Sequence, residues 1–186
     1  MPLLRRVFYG WYVVGAVLVI TTAISGFFFY SLSILLAAFV AERGFPVGLA
    51  SSATGAFFIA AGIGGLAAGR LVDRFDVRFF VVGGALLGAL ALASVGSLTS
   101  IWQLYAFHVV LGLGHGIAGL VPVTTVISRW FNVYRSLAFS IGTTGLSLGG
   151  ILVAPLLALS VTQYGLEATA PWMAVALFLG NVPVAL

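Results

Sequence analysis

The chain contains no cysteine and no lysine, and charge of either sign is scarce. Without cysteine there is no disulfide and no thiolate metal site, and nothing is said about redox compartment. Charged residues make up 6% of the 186 positions, against roughly a quarter in soluble domains. That is too little to clothe a solvated globule. All eight basic residues are arginine and the acids number four, so the net charge is +4 and the pI is near 10.0. Such a pI suggests nucleic acid as a partner. The arginines are scattered among apolar runs and form no basic face, so nucleic acid is excluded.

What is present is apolar: 62% of residues are hydrophobic and the mean hydropathy is +1.22. The charges cut the chain into uncharged runs at 7–41, 44–69, 79–128, 136–166 and 168–186. A helix needs about 20 apolar residues to cross the hydrocarbon core. Four runs hold one crossing each and 79–128 holds two, with its break at Gly96-Ser97-Leu98-Thr99-Ser100. Trp102, Gln103 and Tyr105 follow as interfacial anchors. The sequence therefore predicts an all-α membrane protein, a single domain over 1–186. Its six transmembrane helices are expected at about 9–40, 46–70, 78–97, 102–128, 135–161 and 170–186. The runs are too long and too uniform for strands. Arg5 and Arg6 open the chain like a signal peptide, but the apolar run behind them is more than twice the usual length of about 7–15 residues.

Orientation follows from the arginines. With the N-terminus in the cytoplasm, Arg5, Arg6, Arg70, Arg74, Arg78, Arg129 and Arg135 lie inside and Arg43 outside. Six crossings then place both termini in the cytoplasm. The last helix, counted from Pro171, reaches about 24 Å at the helical rise and ends without a basic stop. It is expected to be truncated, the chain being a piece of a longer protein.

Helices 2 and 5 are rich in glycine, as expected if three-helix units repeat in inverted orientation with a site at their interface. Four pairs have GxxxG spacing: Gly65 and Gly69, Gly84 and Gly88, Gly112 and Gly116, Gly145 and Gly149. Small residues at this spacing let helix backbones approach closely.

The most informative loop runs Gly69-Arg70-Leu71-Val72-Asp73-Arg74-Phe75-Asp76-Val77-Arg78. An acid between arginines offers ion pairs that are easily remade when domains rock, although an exposed pair is worth only about 0–1 kcal/mol. The stretch resembles the signature G-x-L-x-D-R-x-G-R-R/K of the major facilitator superfamily, with Gly69, Leu71, Asp73, Arg74 and Arg78 matching. Asp76 stands where that pattern has glycine, and aspartate is expected to tolerate the left-handed turn geometry there. Tyr9-Gly10-Trp11-Tyr12, Trp102-Gln103-Leu104-Tyr105 and Arg129-Trp130-Phe131-x-x-x-Arg135-x-x-Ala138 resemble the oxalate/formate antiporter and monocarboxylate transporter branch. The resemblance spans nearly the whole chain. It implies one half of a twelve-helix fold, built as a 3+3 inverted repeat, in which Gly69, Asp73, Arg74 and Arg78 form a cytoplasmic gate. Arg129 and Arg135 belong to the loop between helices 4 and 5.

At membrane depth the ionisable groups of note are His108 and His115, two turns apart and about 10 Å along one face of helix 4, shared with Gly112, Gly119 and Pro122. An ionisable group in lipid is costly and marks function by default, and histidine suits proton coupling. The plainer reading is a neutral histidine bonded to a neighbouring helix. His108 also begins His-x-x-x-Gly-x-Gly, resembling a helix 4 motif whose first position is usually arginine. On helix 1, Thr22, Ser25 and Tyr30 are candidate cavity residues, although hydroxyls at depth also bond their own backbone.

Gly114-His115-Gly116-Ile117-Ala118-Gly119 fits a dinucleotide fingerprint but lies inside an apolar helix rather than after a strand. Ser147 has no indicated sharp turn and no neighbouring base, so an intramembrane protease is rejected. No enzyme activity, cofactor or metal is expected. The resemblance implies a secondary active transporter in the plasma membrane, moving a small organic anion such as a monocarboxylate by proton symport or anion exchange. Its partners are the lipid bilayer, that substrate, and a missing C-terminal six-helix half or a second copy. The alternatives are a transporter of a sugar, drug or cation, and a non-transporting half that acts as a membrane interaction module.

Overall fold

A computed structural model describes residues 9–185; Arg5 and Arg6, placed inside on sequence grounds, fall outside them. The described residues form five rods long and apolar enough to cross a membrane: α1 Gly10–Arg43, α2 Val47–Leu71, α3 Val77–Ser97, α4 Ile101–Trp130 and α5 Arg135–Ala185. At 51 residues α5 would run about 76 Å if straight, far beyond a bilayer. It does not stay straight. Gly165 has φ 76° and ψ 172°, a backbone conformation open essentially to glycine alone.

The chain fixes these ends locally. Gly44, with φ 67°, caps α1 in the left-handed conformation. Asp76 caps α3, its side chain accepting from the Arg78 N–H at 3.0 Å. Ser100 and Gln103 start α4 with a capping box: the Gln103 N–H donates to Ser100 Oγ at 3.3 Å and Gln103 Oε1 accepts from the Ser100 N–H at 3.1 Å. The expected left-handed turn at Asp76 is corrected by this geometry, since its φ is −65° and ψ 135°. The aspartate stands in for the pattern's glycine by capping the helix that follows.

The expected loop at 162–169 is likewise corrected. The limb of α5 after Gly165 is helical from the next residue, so it starts near 166 rather than 170. Glu42 makes this possible, its carboxylate accepting the Leu166 N–H at 3.1 Å. A carboxylate from another helix thus satisfies a donor that the turn leaves open. The 20 residues 166–185 reach about 30 Å, not the 24 Å expected from Pro171.

Alongside α1, the first limb of α5 runs in the same direction: Gly142 meets Val17, Gly145 meets Thr21, Gly149 meets Ser25 and Gly150 meets Tyr30. The second limb runs back along α3, Glu167 lying against Gly96 and Leu177 against Gly88. Around α4, the main core gathers Phe28, Phe39, Phe57, Leu104, Leu111 and Met173. A smaller cluster of Val14, Val17, Val123, Ile127 and Phe131 closes the end carrying most of the arginines. Large side chains such as Ile59, Phe79 and Leu90 stand exposed on the outside. Water penalises such a surface and lipid does not.

The GxxxG pairs are used unequally. A Cβ on Gly112 or Gly116 would strike the backbone of Phe57 or Ala61 on α2, and one on Gly145 or Gly149 would strike α1. Gly84 and Gly88 face Gly114 and Phe28. Gly69, by contrast, has nothing within 4 Å of its Cβ position.

Candidate functional site

Three helices lose regular geometry at one level of the bundle. On α1, Ser25–Tyr30 is a π turn, and on α5 Gly149–Val153 is another, packed against the first. On α4, helical geometry fails at Gly119, with φ −71° and ψ −141°. Pro122, three residues on, brings no N–H to rejoin the ladder. Irregular backbone at membrane depth persists where protein covers it or where it lines a cavity, and π turns concentrate at functional sites. Here it lines a cleft of about 280 Å³ between α1, α4 and α5, bounded by Thr21, Ser25, Tyr30, His115, Gly119 and Leu146.

The hydroxyls also hold the α1–α5 seam. Thr21 Oγ1 donates to the Gly142 carbonyl at 2.7 Å and Ser25 Oγ to the Gly145 carbonyl at 3.3 Å. Both glycines are needed, because a side chain would push the two backbones apart. Of the candidates from sequence, Ser25, Tyr30 and His115 therefore meet in one cleft. Thr22 does not join them: its hydroxyl bonds back to the Leu18 carbonyl at 2.7 Å.

The two histidines separate. His108 is fully buried, and its Nδ1 lies 2.9 Å from the Leu104 carbonyl of its own helix, a contact that seats a donor proton there. The Phe39 and Phe107 rings enclose it, at 6.2 and 5.0 Å between centroids. His115 lies between Phe28 and Phe57, with centroids 5.6 and 5.5 Å away, and lines the cleft. Its Nδ1 is buried without a hydrogen-bond partner.

At the arginine end, Gly69, Asp73, Arg74 and Arg78 stand exposed on the α2–α3 turn. Among the described residues none of them forms an ion pair. Arg129 reaches across from α4 and donates to the Val72 carbonyl at 3.2 Å, so it clasps the turn itself. Arg135 begins α5 and stands exposed. A second cleft, of about 400 Å³, opens there among Tyr9, Tyr12, Asp76, Arg78, Arg129 and Val184. Val184 and Tyr9 sharing one cleft places residue 184 at the end of the bundle where the described chain starts.

Sequence reasoning missed the opposite end. Arg43 pairs with Glu167 at 3.0 Å and also donates to the Gly96 carbonyl, while its neighbour Glu42 holds Leu166. The signal was there: Glu42 and Arg43, and Glu167 far from them in sequence, placed at the same end of the bundle by the crossing pattern. It missed Asn181 too, a buried amide donating to the Leu177 carbonyl at 2.8 Å.

Long apolar rods, outward-facing apolar side chains and broken backbone around a largely apolar cleft define an integral membrane protein. The major facilitator superfamily model matches residues 18–186, and the chain belongs to that superfamily. Similar proteins include the one named Probable transporter MCH2 of Saccharomyces cerevisiae, 37% identical over 83 residues, 44% of this chain and 17% of that protein. Uncharacterized MFS-type transporter YcxA of Bacillus subtilis is 32% identical over 134 residues, 71% of this chain and 32% of that protein. Probable anion transporter 4, chloroplastic, of Arabidopsis thaliana is 32% identical over 106 residues, 54% of this chain and 20% of that protein. The chain thus matches a third or less of each relative's length.

Proposed function

We propose that the chain is the N-terminal half of a secondary active transporter that works by alternating access. It moves a small organic anion such as a monocarboxylate, by proton symport or anion exchange. In this reading α5 crosses the membrane twice, bending at Gly165, so that the half crosses six times as a 3+3 inverted repeat. It sits in the plasma membrane with both ends of the half and the Asp73 turn in the cytoplasm. The observation that carries the reading is the cleft at Ser25, Tyr30 and His115, where three helices break regular geometry at the same depth. Discontinuous helices at the midplane are how transporters build solute sites.

Two further features support it. Gly48, Gly55, Gly62 and Gly69 recur every seventh residue on α2, and a Cβ on any of them would meet nothing within 4 Å. A seven-residue stripe of small residues suits the close approach of another helix, here one from a second half or a second copy. Among the relatives, the Arabidopsis protein is named for anion transport.

The test is uptake. The chain is joined to its second half, reconstituted in proteoliposomes, and given labelled lactate, formate or oxalate under an inward proton gradient or against preloaded anion. Accumulation of a carboxylate in either arm supports the reading. Accumulation of a sugar or cation instead would move the substrate class. Failure with every solute, from protein that is folded and correctly inserted, would favour the interaction-module alternative.

A further inference from the structure

His115 reaches the cleft on one side while its inner side is sealed. Phe28 of α1 and Phe57 of α2 cover the ring, and its buried Nδ1 finds no acceptor or donor, which leaves Nε2 as the nitrogen facing the cleft. The elements packed around it bring no counter-charge. Among the described residues, Tyr30 is the other titratable group lining the cleft; α1 otherwise contributes Thr21, Ser25 and apolar side chains, and α5 contributes Leu146. The chain's four acids, Glu42, Asp73, Asp76 and Glu167, stand exposed in the turns at the two ends. An imidazolium at this position therefore has no carboxylate of this chain to pair with. A charge taken out of water and left unpaired is strongly unfavourable, and an opposite charge in the same cavity offsets much of that cost.

We propose that His115 is the proton-carrying group of the cleft and takes its proton only together with the transported anion. The cation's missing counter-ion is the substrate's own carboxylate. The proton enters from the same aqueous side as the anion, binds Nε2, and leaves with the anion on the other side, so charge moves as a neutral pair. Because binding is reciprocal, the anion raises the proton's affinity by the factor by which the proton raises the anion's. Tyr30 supplies a hydroxyl on the facing wall, while the Ser25 proton is already given to the Gly145 carbonyl. His108, seated on its own backbone carbonyl and shut in by Phe39 and Phe107, takes no part. This inference rests on the carboxylate reading above and specifies the coupling ion and its carrier.

The sequence holds two histidines, which makes the test direct. The full chain is labelled with ¹⁵N-histidine, placed in detergent micelles, and titrated with sodium lactate at constant pH, followed by sodium formate and sodium oxalate. One imidazole is expected to move to imidazolium shifts on anion addition. The signal is absent in His115→Gln and kept in His108→Gln. In proteoliposomes of the chain joined to its second half, apparent lactate affinity is expected to fall about tenfold per pH unit wherever the free imidazole is deprotonated. His115→Gln flattens that slope and weakens binding by about tenfold or more, a change that a merely structural histidine would not produce. Lactate uptake with neither imidazole moving, or with His108 moving instead, overturns this proposal and leaves the carboxylate reading intact. No uptake of any carboxylate, with both imidazole signals unmoved, brings down both.

Discussion

The two ends of this bundle carry opposite relations between charge and contact. The arginine end displays Arg70, Asp73, Arg74, Asp76, Arg78, Arg129 and Arg135 among its described residues, yet the contacts they make are a helix cap and one clasp on the Val72 carbonyl. The opposite end has Glu42, Arg43 and Glu167, and these three tie α1 to the end of α3 and to the bend in α5. Crowded charge therefore does not mean cohesion. The poorer end is pinned within the chain, and the richer end is left open to whatever meets it from outside.

Substitutions rank the ends by their grip, read as unfolding midpoints of the purified chain in detergent. Arg43→Ala should cost most, roughly 1.5–3 kcal/mol, because a partly buried guanidinium loses a carbonyl and a carboxylate together. Glu42→Ala follows at about 1–2 kcal/mol, since it leaves the Leu166 N–H unsatisfied at the Gly165 bend. Asp76→Ala removes an N-cap and should cost about 1 kcal/mol. Asp73→Asn should stay within about 0.5 kcal/mol, as expected for an exposed side chain without a partner. If Asp73→Asn unfolded the chain as readily as Arg43→Ala, the contrast between the ends would be broken. It would be sharpened if the same Asp73→Asn change, made in the chain joined to its second half, left stability alone but stopped lactate uptake. Glu167→Ala separates the two bonds of Arg43. With the arginine side chain 21% exposed and the glutamate 76%, that pair alone is screened and should matter less than the Gly96 contact.

How the fold could be read from the sequence depends on where each determinant lies. The crossings at α1 to α4 follow from charge-free runs, because lipid excludes charge and the helical rise fixes the length. Their observed ends fall within about three residues of expectation, as frayed helix ends do. The junction near Gly165 was not legible in the same way. Its helix starts at once because Glu42, more than a hundred residues earlier, supplies the missing acceptor, and no local pattern announces that. In the site, the interest of Ser25, Tyr30 and His115 was visible as polar residues in apolar helices. Their meeting was not, because it depends on π turns, and a π turn leaves no simple period in the sequence. The two histidines share a face of α4, so spacing alone treats them alike. What separates them is the partner on the other helix: Phe39 closes over His108, whereas the space beside His115 stays open as a cleft.

The facing π turns of α1 and α5 have a consequence for how the seam tolerates editing. A π turn is in effect one residue more than an α-helix needs, and each residue turns a helix by about 100°. On these two rods, which run the same way, the surplus falls at matching heights, so neither is rotated out of step with its neighbour beyond that point. Deleting a single residue from 25–30 alone would swing everything after it on α1 by a quarter turn or more, carrying the Glu42 carboxylate away from Leu166. Trimming both rods together would let them turn in concert. A lesion at the middle of the bundle would thus be felt at the pinned end, and its cure would lie on the other helix.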